Sequence, residues 1–300
     1  MLIYLLLAAT FLIAIFSIIL AGTSVRKGNI SLLLLSLSIA LFIYLYGTWV
    51  YLSIYTRYVF AAAFLIYAAI VLLRKKRGTL FITVLPLLPA ALFMLLAVLY
   101  YTGTTGKPEI VQLRFPLKKG TYFILQGGKG LPANFFHYSY RGAIYAIDIV
   151  RLNKFGNRAG QIASSRLENY YIFNDTVYSP CDGIIGRAND EHPDNVPPAR
   201  TRGNINAILI ENDSFYVFLG HLKQGGALVK EGDRVKTGDP VGLVGNSGFS
   251  LEPHLHIQAH LNSGTGRPWY RERPLYIAFD GRTYLLFEVI RPRKVTMVPE

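Results

Sequence analysis

Acidic residues and histidines are missing from the first third of the chain. Residues 1–106 contain no Asp, Glu or His, so all 18 acidic residues lie beyond them. Without ionisable groups among its apolar residues, this part offers no pathway for ions or protons. The lysines and arginines behind the formal net charge of +13 are scattered, and no recognition motif frames them. The charge therefore does not indicate a nucleic-acid partner.

Cysteine is almost absent as well. The single Cys181 excludes an intrachain disulfide within these 300 residues. It precedes a turn and a strand in SPCDGIIG, where a small buried hydrophobe is the simplest interpretation.

Long apolar runs fill the region that lacks acids. They cover residues 2–22, 30–52, 58–73 and 80–101, and a bilayer-spanning helix needs about 20 apolar residues. The sequence predicts a bundle of four transmembrane helices over residues 1–106, with the first one retained instead of cleaved. Pro86 and Pro89 are expected to kink the fourth span. The helices would be an anchor in the lipid bilayer and a possible surface for a membrane protein partner.

Cations between the runs predict the orientation of the spans. Arg26 and Lys27 follow the first run and residues 74–77 follow the third, whereas the turn after the second has Arg57 alone. Loops rich in lysine and arginine face the cytoplasm. The prediction is a multi-pass protein of the cytoplasmic membrane whose termini and C-terminal domain are extracytoplasmic.

The remainder, residues 107–300, is strand-like. Short apolar stretches alternate with Gly, Pro, Asn and Asp turns almost to the end. We expect one mainly-β domain of antiparallel sheets, with further strands over residues 276–298. Helical signal is confined to a short segment at 161–170.

Two histidines two residues apart mark the stretch 241–260. His254 and His256 flank Leu255, and alternate side chains of a strand share one face. Gln258 and His260 continue that face. Two converging imidazoles suit zinc, or one can bind metal while the other moves protons. A pair of surface histidines on a half-exposed strand is the simpler alternative.

Other motifs around this pair carry a family resemblance. His221-Leu222, the Gly-Asp turns at 232–233 and 238–239, GNSG at 245–248 and PHLH at 253–256 occur in this order. Together they resemble the signature of the lysostaphin-type (LytM-type) zinc metallopeptidases, which are cell-wall endopeptidases. The stretch VKEGDRVKTGDPVG is also similar to the hairpins of biotinyl and lipoyl carrier domains, but their modified lysine and its neighbours are lacking.

The resemblance implies one zinc ion held by a histidine and an aspartate of an early strand and by the second histidine of the pair, His256. Asp148 interrupts the apolar AIYAIDIV, where an unpaired buried carboxylate needs a cation. The family's His-x-x-x-Asp would place the histidine at 144, where this chain has Ile144. We predict that His137 replaces it from a neighbouring strand, reached through a hairpin. The alternative is that His137 is an ordinary polar residue.

The other histidines then receive roles. His254 is expected to take a proton from water, and His221 to stabilise the tetrahedral intermediate or protonate the amine. His192 in a Pro-rich loop and His260, placed beyond the metal, are expected to lie outside the site.

The resulting hypothesis is a zinc endopeptidase, anchored in the membrane, that acts on peptide stems or cross-links of peptidoglycan. A non-catalytic regulator that binds or activates another cell-wall enzyme is the alternative. A transporter or signalling subunit with a sensor domain is disfavoured by the apolar spans.

Overall fold

The computed structural model describes residues 2–74, 79–198 and 204–292. Two compact units divide the chain. One comprises Met1–Gly103 with Lys154–Asn157, and the other comprises Thr104–Asn153 with Arg158–Glu300. The cations at 75–77, and residues 293–298 of the predicted last strands, lie outside the described residues.

Four apolar helices form most of the first unit: α1 (Leu2–Lys27), α2 (Ile30–Tyr46), α3 (Tyr55–Leu73) and α4 (Leu87–Thr102). Among the described residues, α1 and α3 are long and apolar enough to cross a membrane; as the first lies near the N-terminus, an anchor and a signal sequence both fit it. The other two contain 17 and 16 residues, or about 26 and 24 Å at 1.5 Å per residue, short of a core of about 30 Å. A bundle of four full-length spans is therefore not found.

Gly and Pro residues shorten the second and fourth predicted spans. Helix α2 ends before Gly47, and a separate 3₁₀ turn follows at Trp49–Tyr51. Pro86 immediately precedes α4 and Pro89 lies in its first turn. Proline is tolerated there because the first N–H groups of a helix have no partner within it. The predicted kink was therefore wrong, since the prolines begin this helix.

The second unit is mainly β and carries a short helix, α5 (Phe135–Tyr138). Its strands are β1 (Ile110–Leu113), β2 (Thr121–Gln126), β3 (Ile147–Leu152), β4 (Thr176–Tyr178), β5 (Gly183–Asn189), β6 (Ala207–Glu211), β7 (Phe215–Gly220), β8 (Leu222–Ala227), β9 (Arg234–Val235), β10 (Pro240–Val244), β11 (Leu255–Leu261), β12 (Pro274–Phe279), β13 (Arg282–Thr283) and β14 (Val289–Ile290). Between 161 and 170, where a short helix was expected, the structure has only a 3₁₀ turn at Leu167–Asn169.

The large sheet runs in the order β14-β2-β3-β11-β7-β6-β5-β9, and a small sheet runs β4-β10-β8. Strand β12 joins the large sheet beside β11 and pairs in parallel with β1. The other pairs are antiparallel, which confirms the predicted mainly-β, antiparallel domain.

Strand β11 is central to the large sheet because it pairs with both β3 and β7. Its odd-numbered residues, including Leu255 and Ile257, enter the hydrophobic core. The even-numbered residues therefore share the opposite face, as the alternation of the sequence predicts.

Candidate metal centre

Strand register brings His256 and Asp148 together. The two residues face each other directly across the antiparallel pair β11–β3, so their side chains are neighbours on one face. Nδ1 of His256 lies 2.9 Å from Oδ1 of Asp148. On its other side His256 faces Gly220 of β7.

His137 reaches the same carboxylate from the short helix α5. Its Nε2 lies 3.3 Å from Oδ2 of Asp148, and its Nδ1 lies 2.9 Å from Oδ1 of Asn134. The predicted proximity of His137 and Asp148 is present, but the predicted neighbouring strand is not. Strand β3 begins only at Ile147, and Ile144 has helical backbone angles after a 3₁₀ turn. Strand alternation therefore does not extend from Asp148 back to 144.

His254 lies just before β11, at the end of a loop. Its Nδ1 is 2.8 Å from the carbonyl oxygen of Glu252, and its Nε2 is 3.5 Å from Oδ1 of Asp148. The carboxylate of Glu252 is held by a buried bidentate pair with Arg158, both contacts measuring 2.7 Å. The loop before the histidine is thus held at Glu252 by its side chain and its backbone carbonyl.

His221 joins β7 to β8 in a left-handed conformation, with φ of 60°. Few non-glycine residues adopt this region, and strain of this kind is often found at functional sites. Nδ1 of His221 lies 2.7 Å from the carbonyl oxygen of Ser247, and its ring centroid is 4.6 Å from that of His254. The turn therefore directs an imidazole towards the cluster.

The side chains of the cluster are buried and shift one another's pKa values. Burial alone would raise the pKa of Asp148, but His137, His254 and His256 hold it well below its usual value. Burial opposes protonation of His137 too, yet Asp148 outweighs it and raises that pKa. For His221, burial and then the neighbouring His254 and His256 lower the pKa well below its usual value. Asp148 is therefore ionised and His221 neutral at pH 7.

This donor set fits a zinc ion. One atom each from His137, Asp148 and His256 lies within 4.8 Å of the others. Ligand atoms about 2.0–2.1 Å from a tetrahedral zinc ion are roughly 3.3 Å apart, close to the 3.3 and 2.9 Å separations from Asp148. Within the described part of the chain, the ion pairs of Asp148 are all with histidines. A buried carboxylate surrounded by imidazoles is suited to a cation.

The two histidines expected to lie outside the site, His192 and His260, differ in their positions. His192 lies in a loop, where its ring is 3.6 Å from Glu191 and its backbone bonds the side chain of Asn206. His260 is fully buried on the metal-facing side of β11 and contacts Gln258, which in turn contacts His256. Sequence reasoning missed Gln258, His260 and Asn134 as neighbours of the ligands. Alternation along 256, 258 and 260 was the available signal for the first two.

Two curated proteins are similar to short stretches of this chain. An uncharacterized metalloprotease of Buchnera aphidicola subsp. Baizongia pistaciae (strain Bp) is 42% identical over 64 residues, 21% of this chain and 16% of that protein. The glycyl-glycine endopeptidase ALE-1 of Staphylococcus capitis is 45% identical over 56 residues, 18% of this chain and 15% of that protein. The chain thus spans less than a fifth of the length of these curated relatives.

A zinc-containing peptidase from Vibrio cholerae is among the similar solved structures. It is 20% identical, with a TM-score of 0.33, and the match covers 56% of this chain and 39% of that one. Residues 171–268, which contain His221, His254 and His256, match the model of Peptidase family M23.

Proposed function

We propose that this chain is a zinc-dependent endopeptidase that hydrolyses peptide stems or cross-links of peptidoglycan. The observation that carries the proposal is the buried Asp148 carboxylate, which His137 and His256 approach with one ring nitrogen each. The family match over residues 171–268 supports it, because it covers three histidines of the cluster. Glycyl-glycine cleavage is the activity named for one relative, and it motivates peptide cross-links as substrate here.

His137, Asp148 and His256 would hold the metal. A bound zinc ion supplies Lewis-acid activation of water and of the scissile carbonyl. His254 presents Nε2 towards the carboxylate while its Nδ1 donates to a backbone carbonyl, so its free lone pair is positioned to accept a proton. His221 is likewise tied through Nδ1 to Ser247. A neutral His221 therefore protonates a leaving amine only after it has gained a proton at Nε2.

Two single variants distinguish a zinc ligand from a catalytic base. In the full chain, His254→Ala should retain about one zinc ion and lose hydrolysis of purified peptidoglycan, whereas His256→Ala should lose both. His192→Ala is the matched control, since the ring of His192 pairs with Glu191, whereas those of His137, His254 and His256 pair with Asp148. A wild-type chain without zinc contradicts the proposal. Zinc without hydrolysis would favour the non-catalytic regulator.

We also propose a membrane location, with residues 1–106 as anchor and residues 107–300 as the extracytoplasmic domain. Large apolar side chains are exposed on α1, α3 and α4, including Leu12, Leu65 and Leu88, as expected for helices in lipid. Arg26 and Lys27 lie in the last turn of α1, which favours a cytoplasmic first loop. A reporter fused after Glu300, which lies outside the described residues, should be active only outside the cytoplasm. A cytoplasmic reporter would exclude the cell-wall substrate.

A further inference from the structure

Two side-chain amides contact the rings of the proposed metal ligands. Gln258 approaches Nε2 of His256, and Asn134 approaches Nδ1 of His137, at 3.0 and 2.9 Å. Both amides are themselves held by other groups. The direction of each hydrogen bond can therefore be worked out from a backbone carbonyl, which only accepts.

The first chain of hydrogen bonds starts at the carbonyl oxygen of Glu272. Nδ1 of His260 lies 3.1 Å from that oxygen, so Nδ1 carries a proton. Burial lowers the pKa of His260, so the ring is neutral and its Nε2 accepts. The amide nitrogen of Gln258, 3.2 Å away, therefore donates to His260. Its Oε1 then faces His256, where it is placed to accept a hydrogen bond from Nε2–H of that ring.

The second chain is shorter. The amide nitrogen of Asn134 donates to two backbone carbonyls, of Ile144 at 3.1 Å and Ala146 at 3.0 Å. Its Oδ1 is thereby turned towards His137 and accepts from Nδ1. Asn134 occupies the N-cap position of α5 without a side-chain cap bond. Asparagine is a common N-cap residue, but here its side chain contacts the ring of His137 and does not cap the helix.

We propose that Gln258, together with His260, and Asn134 are positioning residues that fix the tautomers of the two histidine ligands, leaving Nδ1 of His256 and Nε2 of His137 free for zinc. The proposal rests on the proposed zinc site. In both rings the free nitrogen is the one that faces Asp148. Without a metal, the ionised Asp148 only accepts, so it competes with each amide oxygen for the ring proton. A cation bound between them removes that competition, and each amide oxygen then accepts the remaining N–H of its ring.

Aromatic rings cover the longer chain. Trp269 stacks on Phe218 with a centroid separation of 4.9 Å and contacts His260 edge-on at 5.3 Å. Phe218 lies beside Gln258 in the β7–β11 register. Gln258 and His260 are consequently 8% and 0% exposed. Hydrogen bonds shielded from water hold their geometry more strongly than exposed ones.

The experiment measures tautomers and zinc affinity in the full chain. Only six histidines occur in the sequence, so ¹⁵N-histidine labelling gives a tractable two-bond ¹H–¹⁵N spectrum of the zinc-loaded protein, in which the N–H of each ligand ring identifies the nitrogen that does not bind zinc. The wild type should show His256 protonated on Nε2 and His137 on Nδ1. In Gln258→Met the Nε2–H form of His256 should lose its dominance, and zinc should bind about 10- to 100-fold more weakly.

Matched variants separate positioning from packing. Gln258→Glu keeps an acceptor for Nε2–H of His256 and should retain the tautomer and most of the zinc affinity. Ile257→Val removes a methylene group from the opposite, core face of β11; it should lower stability and leave zinc affinity unchanged. Asn134→Leu removes the acceptor of His137 and should weaken zinc binding while leaving Nε2–H of His256 unchanged.

The possible results distinguish failure of the inference from failure of the proposed function. Wild-type His256 protonated on Nδ1, or unchanged zinc affinity and tautomer in Gln258→Met, overturns the inference. A wild type that binds no zinc overturns the proposed function and the inference with it, whereas equal zinc affinities of the wild type and Gln258→Met overturn the inference alone.

Discussion

The left-handed backbone of His221 gives a prediction that reverses the usual ranking of alanine and glycine. Removing the ring in His221→Ala or His221→Gly deletes the same hydrogen bond to Ser247, worth about 0.5–1.5 kcal/mol. The two variants differ in the backbone. With φ of 60°, alanine keeps a strain of roughly 1–2 kcal/mol that glycine lacks, while glycine loses about 0.5–1 kcal/mol of chain entropy.

The balance favours His221→Gly by up to about 1.5 kcal/mol, because the released strain exceeds the entropy term. For a domain of this size, each 1 kcal/mol of that difference raises the melting temperature by roughly 2–4 °C. Circular dichroism of the β signal on heating, with chelator present to remove metal linkage, measures it. Both variants should lose hydrolysis equally, since neither has the imidazole.

A second pair of variants provides the comparison. Lys223 lies in strand β8 and outside the set of left-handed residues, so Lys223→Ala should be more stable than Lys223→Gly. Refutation is direct: if His221→Ala is as stable as His221→Gly or more so, the backbone at 221 is not left-handed.

Two further predictions concern metal and pH. His137→Ala should weaken zinc binding about as much as His256→Ala in a metal titration. Adding Ile144→His to His137→Ala should not restore the affinity, because residue 144 has helical backbone angles. Full rescue would show that residue 144 faces the metal. Metal-free protein should lose stability as pH falls below about 6.5, by up to about 1.4 kcal/mol per pH unit for each of His221 and His260, because unfolded chains protonate these rings while burial depresses their folded pKa values. His221→Asn should flatten that slope of unfolding free energy against pH, and an unchanged slope would assign it to another group.

Strand alternation predicted most of the metal-facing side. The alternation at 255–260 predicted the two faces of β11, while His254 lies in the loop before that strand. The apolar run around Asp148 predicted a buried carboxylate, because both patterns depend on local periodicity. The origin of His137 was harder. Its approach depends on helix α5 and a 3₁₀ turn at Arg141–Ala143, and such short elements leave no periodic pattern in a sequence.

The amide contacts depend on still more distant features. The hydrogen-bond direction at Gln258 follows from a carbonyl oxygen of Glu272 in the segment before β12, and a backbone group has no sequence signature. The number of spans was overestimated for a related reason. Apolar composition identified the runs, but Gly47 and Pro86 ended or began helices within them.

The buried pair Arg158–Glu252 is another long-range contact, joining residues 94 positions apart. Both side chains are almost fully buried, and the backbone carbonyl of Glu252 holds Nδ1 of His254. Removing one charge from such a pair costs about 3–5 kcal/mol, because the partner is left buried and uncompensated. Arg158→Met or Glu252→Gln alone should therefore destabilise strongly, and the double variant should lose much less than the sum.

Denaturant unfolding of the wild type, both single variants and the double variant measures that coupling. The exposed pair Arg282–Glu288, 3.3 Å apart, is the control and should couple by less than about 1 kcal/mol. Because His254 is assigned as base and not as ligand, the double variant should retain zinc while hydrolysis falls. Additive losses from Arg158→Met and Glu252→Gln would mean that the pair does not act as a unit, and unchanged hydrolysis would mean that it does not orient His254.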